Sequence, residues 1–443
     1  MKKVILAALL LLAGVSTYLL YNGQNKDKEE SVKKETSKAD KEVDIEDDGF
    51  EWHYVQDSQN VNGIISKGEA EEVNIALTKE GNPVVAYEND EENDRIRVKI
   101  FENKEWRVLS DEKYPRGMIS SGKSSNPTIA AKGEDIYVSF VEQEKNKKAV
   151  VMRWNKDEKS WKNLNLSNSE NSHEPNLTFD KNEKYLYAVY SKKSEKSGLG
   201  QAVIKSFNGQ EWKEISGDSS FFYDNPGSTV DEFDIKKSSI DNSIYIAYEE
   251  QPKEGDRIIR VKKWDGLNWK DLDGSEYFKK RIGNAGGSSP SIDVAKEDTL
   301  SLAFIDKKED FLRVFQYKNG EWLSLGNNEG AVNDEVSGEP YVASFENALF
   351  VGYSEYKENV YAGERNNKTS RDDRYKDLWR VRVMKHQDGK WSGCSAPNFA
   401  EGYISEGDGK GDPAMAGDED ELFVVFSDED DDYKARVMKY SSK

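Results

Sequence analysis

The chemistry open to this chain is bounded by its scarcest side chains. Among 443 residues there are three histidines, His53, His173 and His386, and a single cysteine, Cys394. Each histidine falls in a different unit of the repeat described below, and His53 and His386 sit in strand-like sequence. A Ser-His-Asp arrangement or a histidine metal centre therefore finds little support. One cysteine excludes an internal disulfide framework and offers no metal-site spacing, and its place just after Trp391 suggests a buried thiol. Carboxylates are abundant, with 84 Asp and Glu against 64 Lys and Arg and a formal net charge of -20. A glycosidase needs two carboxylates flanking one bond at a set separation, which abundance alone does not supply. Asp234 and Asp293 are the acids expected near the molecular axis. The acidic runs GDEDEL (417–422) and SDEDDDY (427–433) lack the alternating ligands and glycine of a calcium loop and read as solvated charge. No catalytic residue, no metal and no cofactor is expected. The acidic balance also argues against a nucleic-acid partner, whose binders present basic surfaces.

The elements that must position any site come from a repeat. Trp52, Trp106, Trp161, Trp212, Trp269, Trp322 and Trp391 each close one copy, at intervals of about fifty residues with a longer last one, and β-type sequence lies between them. Each copy has an opening strand (PTIA 127–130, PNLT 175–178, PSID 290–293) and an aromatic, β-branched run (PVVAYE 83–88, IYIAYE 244–249, LFVVFS 422–427). A third run alternates basic and apolar residues, as in RIRVKI (95–100). Period two places Ile96, Val98 and Ile100 on one face and Arg95, Arg97 and Lys99 on the other, as in a half-exposed strand. An Asn-Gly or Asp-Gly turn then leads into the tryptophan strand, as in NGEW (319–322) and DGKW (388–391); these are the preferred two-residue hairpin turns because both central positions need positive φ.

Four antiparallel strands per copy predict an all-β, seven-bladed β-propeller. The seventh copy ends at Tyr440 without its tryptophan strand, and DDGFEWHYV (47–55) carries the missing piece. Residues 50 to 55 are expected to become the outer strand of the last blade and close the ring. The expected domain is 48–443.

Residues 1–22 read as a signal peptide or a transmembrane signal anchor. Lys2 and Lys3 precede an apolar run from Val4 to Tyr21, just long enough to span a bilayer, while Gly14 and Ser16 offer a cleavage pair. LLAGV (11–15) has Val15 where a lipoprotein needs cysteine, so no lipid anchor is expected. Residues 23–47 are polar and read as a charged, disordered linker. The basic residues lie before the apolar run, so the expected location is extracytoplasmic, either anchored to the membrane through that segment alone or secreted.

In such a blade the connections from strand four to the next opening strand, and from strand two to strand three, share one face. The longest irregular stretches fall there: 110–126, 216–231, 273–289, 395–412 and an insertion at 357–377. Arg116, Tyr223, Arg281, Arg365, Arg371, Arg374, Tyr375 and Tyr403 lie in these stretches and are the candidate ligand-binding residues, arginine and tyrosine being common recognition anchors. Asn74, Asn176, Asp234, Asp293 and Tyr341, on opening strands, are the candidate channel-lining residues. The recurrence of NGIIS (62–66), RGMIS (116–120) and EGYIS (401–405) fits either repeated shallow sites or a repeated structural turn.

The PSI, VMKY and NGxxW elements resemble those of exported bacterial seven-bladed propellers grouped with sialidase-like (Asp-box) and kelch-like repeat proteins, over roughly residues 50 to 440. The resemblance implies a propeller fold and brings sialidase chemistry into view. In sialidases three arginines on inner strands hold the substrate carboxylate, with a tyrosine–glutamate pair and an aspartate. The opening and second strands here contain no arginine, and no turn has the full Ser-x-Asp-x-Gly-x-x-Trp motif. The expected function is a binding propeller recognising a glycan or cell-envelope polymer, or an extracellular protein. The alternative is a glycoside hydrolase or lyase acting on polysaccharide through Asp234 or Asp293.

Overall fold

The computed structural model describes residues 49–443, except 144–145, 167–168, 195–197, 218–226, 274–277, 279–281, 283–285, 327–330, 334, 336, 362–374, 398, 400, 406–411, 419 and 429–432; of 92 and 358–378 the side chains are likewise not described. The chain divides into a unit Met1–Asp44, outside the described residues, and a unit Ile45–Lys443. The expected signal segment and the whole of the expected linker therefore fall outside this description, and no helix among the described residues is long and apolar enough to cross a membrane.

Seven four-stranded antiparallel sheets form the second unit, each running from an inner to an outer strand. After β1 (Phe50–Tyr54), blade 1 contains β2 (Ala70–Leu77), β3 (Pro83–Asn89), β4 (Arg95–Glu102) and β5 (Glu105–Val108). Blade 2 contains β6 (Ser124–Lys132), β7 (Asp135–Glu142), β8 (Lys148–Asn155) and β9 (Ser160–Asn163). Blade 3 contains β10 (Ser172–Phe179), β11 (Leu186–Lys193), β12 (Gly200–Phe207) and β13 (Trp212–Glu214). Blade 4 contains β14 (Thr229–Lys237), β15 (Ile244–Gln251), β16 (Ile258–Trp264) and β17 (Trp269–Asp271). Blade 5 contains β18 (Gly287–Val294), β19 (Leu300–Asp306), β20 (Phe311–Lys318) and β21 (Glu321–Ser324). Blade 6 contains β22 (Tyr341–Phe345), β23 (Ala348–Tyr361), β24 (Tyr375–Gln387) and β25 (Lys390–Gly393). Blade 7 contains β26 (Ala414–Gly417), β27 (Glu421–Asp428) and β28 (Lys434–Ser442), and β1 completes it by pairing with β28, Trp52 opposite Tyr440.

The core lies between blades. Val84 and Val98 of blade 1 pack with Ile129 and Phe140 of blade 2, and Val425 and Val437 of blade 7 pack with Ile75 and Val85 of blade 1. Each tryptophan of the repeat pins its blade to the one before. Trp106 Nε1 donates to the Val55 carbonyl (2.7 Å), Trp161 to Leu109 (2.8 Å), Trp212 to Leu164 (3.0 Å), Trp269 to Ile215 (2.9 Å), Trp322 to Leu272 (2.8 Å) and Trp391 to Leu325 (2.6 Å). Trp52 closes the circle by donating to Cys394 (2.8 Å). A carbonyl leaving an outer strand has no ladder partner, and the indole N–H satisfies it without admitting water. Cys394 itself is buried.

Two local expectations are refined. The basic face of the third strands is partly buried: Ile96 and Val98 are fully enclosed, and on the other side Arg97 is only 7% exposed and Lys262 only 2%, while Arg95 and Lys99 are half-buried. A third strand is flanked by the neighbouring blades, so its basic residues survive burial by pairing with acids on the same or the adjoining strand. Arg260 Nε lies 2.7 Å from Glu250 and Arg382 Nη1 lies 2.9 Å from Glu355. The turns before the tryptophans are of two kinds. Asn319-Gly320 and Asp388-Gly389 have positive φ at both positions, as a two-residue hairpin requires. In the turns at 208–211 and 265–268 only the glycine has positive φ, and the Asn208 and Asp265 side chains instead accept backbone amides two and three residues on.

The NGIIS, RGMIS and EGYIS segments are turns that dock each strand-four connection onto a third strand. Ile64 bridges to Arg436, Met118 to Arg97 and Tyr403 to Arg382. The serine two residues on caps the same strand, with Ser66 accepting from the Ala435 amide, Ser120 from Ile96 and Ser405 from Val381. The glycine is dictated by space and by φ: a Cβ on Gly63 would stand 2.3 Å from the Val437 carbonyl oxygen, at φ +72°. The blade-6 insertion begins as an extension of the β23–β24 hairpin, with Tyr361 opposite Tyr375.

Candidate functional site

The inner strands of all seven blades converge on an axial cavity of about 520 Å³. It opens where the strand-four connections enter the inner strands, because its walls are the first residues of those strands. Five inner strands share one irregularity there, a shift in register that sets one residue at positive φ. Glu72 (47°), Asn126 (52°), Glu174 (46°), Glu232 (48°) and Ser289 (52°) occupy this position. A non-glycine residue held in that region costs on the order of 1 kcal/mol, so the arrangement must be stabilised from around it.

Part of that support runs from blade to blade around the mouth. Glu72 accepts the Asn126 amide, Glu174 Oε2 the Glu232 amide (2.8 Å), Glu232 Oε2 the Ser289 amide (2.6 Å) and Asp412 Oδ1 the Glu339 amide (2.9 Å). The acids of this network, Glu72, Glu174, Glu232, Glu339 and Asp412, line one cavity together with Glu71 and Asp234. Burial first, and neighbouring acids second, show in the protonation of Glu174, Glu339 and Asp412. Burial, reinforced by the charge of Asp231, pushes the Glu174 carboxyl up to about 9. Burial and Asp412 push Glu339 up to about 8, and burial brings Asp412 itself to about 6. Behind the mouth, burial and Glu72 push Glu88 up to about 8, while burial and Glu232 do the same for Glu249. Glu72 and Glu339 keep exposed surface, so water in the mouth moderates the repulsion they feel.

Deeper on the axis stands a mixed cluster. Lys236 Nζ lies 3.1 Å from Asp234 Oδ1 and 5.2 Å from the centre of the Tyr341 ring. Burial alone would lower the Lys236 ammonium, but Asp234, Tyr341 and Asp293 outweigh burial and hold it above the ordinary lysine range. Burial raises the Tyr341 phenol and the Asp293 carboxyl. The two aspartates are tied into the ring: Asp234 Oδ2 accepts the Ile292 amide (2.8 Å) and Asp293 Oδ2 the Ser344 amide (2.6 Å). Asn176 Nδ2 donates to the Phe233 carbonyl (3.1 Å). This set can hold a protonated acid, Tyr341, beside a fixed ammonium, and can present hydroxyl, amide and carboxyl groups to a polar ligand.

Of the channel candidates, Asn74, Asn176, Asp234 and Tyr341 line the cavity, and Asp293 faces Lys236. The loop candidates do not gather there. Arg116 is exposed on the short turn Pro115–Gly117. Tyr403 is 6% exposed; its hydroxyl donates to Glu355 Oε2 (2.5 Å) and its ring stands beside Arg380 and Arg382. Tyr375 lies in β24, its side chain outside the description, and Tyr223, Arg281, Arg365, Arg371 and Arg374 lie outside the described residues. The ring of acids was not singled out from the sequence. Its signal was the acid-proline pair at Glu174-Pro175, Glu339-Pro340 and Asp412-Pro413, in the same place of three repeats. Among the described residues, no group of three or more His, Cys, Asp or Glu could hold a metal ion.

The fold and the axial mouth define a seven-bladed β-propeller. No family model and no curated protein matches the sequence. Among solved structures, the chain is similar to a PL25 polysaccharide lyase, an ulvan lyase bound to -[GlcA(1-4)Rha3S]-, at 11% identity and a TM-score of 0.54, over 86% of this chain and 95% of that one. A Dyadobacter fermentans protein of unknown function aligns at 10% identity and a TM-score of 0.44, over 89% and 100% of the two chains. A Trypanosoma rangeli sialidase aligns at 14% identity and a TM-score of 0.42, over 89% of this chain and 58% of that one. At these identities the likeness is one of fold.

Proposed function

We propose that this protein is a glycan-binding propeller, held outside the cytoplasm by its N-terminal segment, and that a hydroxyl-rich ligand enters the axial mouth. The observation that carries this reading is the cavity itself, walled by carboxyl, amide and hydroxyl groups from all seven blades with Phe233, Tyr341 and Tyr433 among them. Such a mixture of hydrogen-bonding groups and ring surface suits a sugar. The crowd of carboxyl groups disfavours a polyanionic chain at this mouth and suits a neutral or amine-bearing one. The test is an array of neutral, amino-substituted and anionic glycans, probed with the wild-type protein and with Glu339→Ala. Specific signal weakened at least tenfold by the substitution supports the reading. A blank array, or signal confined to anionic chains and indifferent to Glu339, defeats it and turns the search to protein partners.

A second reading, polysaccharide cleavage, is favoured by one observation: Tyr341, kept protonated by burial, stands over Lys236 on the axis. The fold likeness to a polysaccharide lyase is compatible with it. Against it, Asp234 and Asp293 are already committed to backbone amides of the ring. New chain ends or unsaturated products from any polysaccharide, abolished by Tyr341→Phe, would establish cleavage; binding without turnover would set it aside.

A further inference from the structure

A second cavity, of about 430 Å³, lies away from the axis between blades 1 and 2. Its wall on the blade-1 side is Arg95, at the start of β4, together with the connecting segment Lys113–Ser121; on the blade-2 side it is Glu142, Val150, Met152 and Asn163. Pro115, Met118, Ile119, Val150 and Met152 give it an apolar floor, and its polar groups are mostly donors. In a protein of net charge -20 this groove carries two cations, Arg95 and Lys113, against one carboxylate, Glu142.

One oxygen of that carboxylate is engaged. Glu142 Oε1 accepts the Ser121 hydroxyl (2.6 Å) and, at 3.4 Å, the Ser121 amide. The Ser120 hydroxyl is likewise committed, accepting from the Ile96 amide (3.1 Å) and donating to the Gly122 carbonyl (3.0 Å). Asn163 accepts the Asn165 amide through Oδ1 (2.7 Å), which leaves its NH2 as the side facing other chemistry. Arg95 donates from Nη2 to the Ser121 carbonyl (3.2 Å), but its Nε–H is closed off from solvent and meets no acceptor among the described residues. Lys113 stands 5.0 Å from the centre of the Tyr114 ring. The Arg95 Nε–H is closed to the groove as it is to solvent, so what the cavity offers an anion is the positive charge of Arg95 and Lys113 together with the Asn163 NH2.

We infer that this groove is a binding site for an oxyanion ester, a phosphate or sulfate carried on a small carbon skeleton, with the anion held by Arg95, Lys113 and Asn163 and the skeleton on the apolar floor. Guanidinium and ammonium donors converging on one anion make charge-assisted bonds, roughly twice as strong as neutral ones. The volume falls within the usual range for small-molecule sites. The inference does not rest on the axial reading, since the two cavities share no lining residue.

The experiment is calorimetric titration of the full-length protein with glucose 6-phosphate and, separately, glucose 6-sulfate, with glucose as the uncharged comparison. The expected result is saturable binding of at least one ester, at least tenfold tighter than glucose and weakened about fivefold or more by Lys113→Ala and by Arg95→Lys. The first variant removes an exposed ammonium and the second keeps the charge but loses the planar guanidinium fork, so neither should disturb folding; an unchanged melting temperature checks this. Which ester binds separates the phosphate source from the sulfate source. Absence of saturable binding by both esters, or binding indifferent to both substitutions, overturns the inference.

Discussion

The indole N–H groups illustrate how single side chains hold this ring together. Trp161 is buried and donates to Leu109, the first carbonyl past the outer strand β5 of the preceding blade. Replacing it with phenylalanine keeps most of the apolar contact but leaves that carbonyl without its donor. Trp161→Phe is expected to lower unfolding stability by about 1–3 kcal/mol in denaturant titration, without changing the circular dichroism of the folded state. A loss within error would mean that water satisfies Leu109. The tryptophan positions were legible in the sequence because they recur; their partners were not, since a carbonyl some fifty residues upstream has no signature of its own. The acids of the mouth are a parallel case. Glu72 and Glu174 look like ordinary surface residues until the shifted register turns them toward the axis.

At the scale of elements, the closing strand and the docking turns make the sharpest predictions. β1 pairs with β28 along Phe50 to Tyr54 and brings Trp52 into the interface of blades 6 and 7. A chain starting at Gly63 lacks this strand and leaves β28 as an open edge, so it is expected to melt well below a chain starting at Lys41 and to aggregate more readily. Equal melting curves would contradict closure. In the docking turn of blade 1, a Cβ on Gly117 would stand 2.2 Å from Val108 Cγ1 and 3.0 Å from the Leu109 carbonyl oxygen, at φ +69°. Gly117→Ala is expected to cost roughly 2 kcal/mol or more, read as a lower unfolding midpoint, because positive φ and collision act together. The repeated strands and this closure were readable from hydrophobic alternation and the misplaced tryptophan. The burial of Arg97 was not, because alternation reports on one sheet and cannot see a neighbouring blade packed over its other face.

At the scale of the whole molecule, the circular arrangement concentrates acid on the axis. Glu174, near 9, and Glu339, Glu88 and Glu249, near 8, hold their protons more tightly in the folded state than the ordinary glutamate, near 4.3, does when unfolded. The folded state therefore binds more protons between those limits. The stability these groups contribute is fully present below about pH 4 and is lost as pH rises through 8 to 9. Lys99, lowered to about 8 by burial, acts in the opposite sense above that value, so the comparison of choice is with a variant. Glu174→Gln can still accept the Glu232 amide and cannot ionise. Its melting temperature relative to wild type is expected to rise steadily from pH 5 to pH 9. A difference that stays flat would show that the mouth is too hydrated for its acids to repel one another.

The sequence by itself determined the architecture: the strand grammar, the sevenfold repeat and the strand borrowed from the N-terminal side are all local patterns that recur, and recurrence is visible in one dimension. It also determined which chemistries are scarce, through three histidines and one cysteine. Only the tertiary structure decided where the polar groups meet. Residues as far apart as Glu72 and Asp412 share one cavity because a closed ring brings the starts of seven inner strands to a single axis. The groove at Arg95 likewise exists because one blade's connection folds over the edge of the next. Convergence of that kind depends on closure and register, neither of which leaves a mark on the residues it brings together.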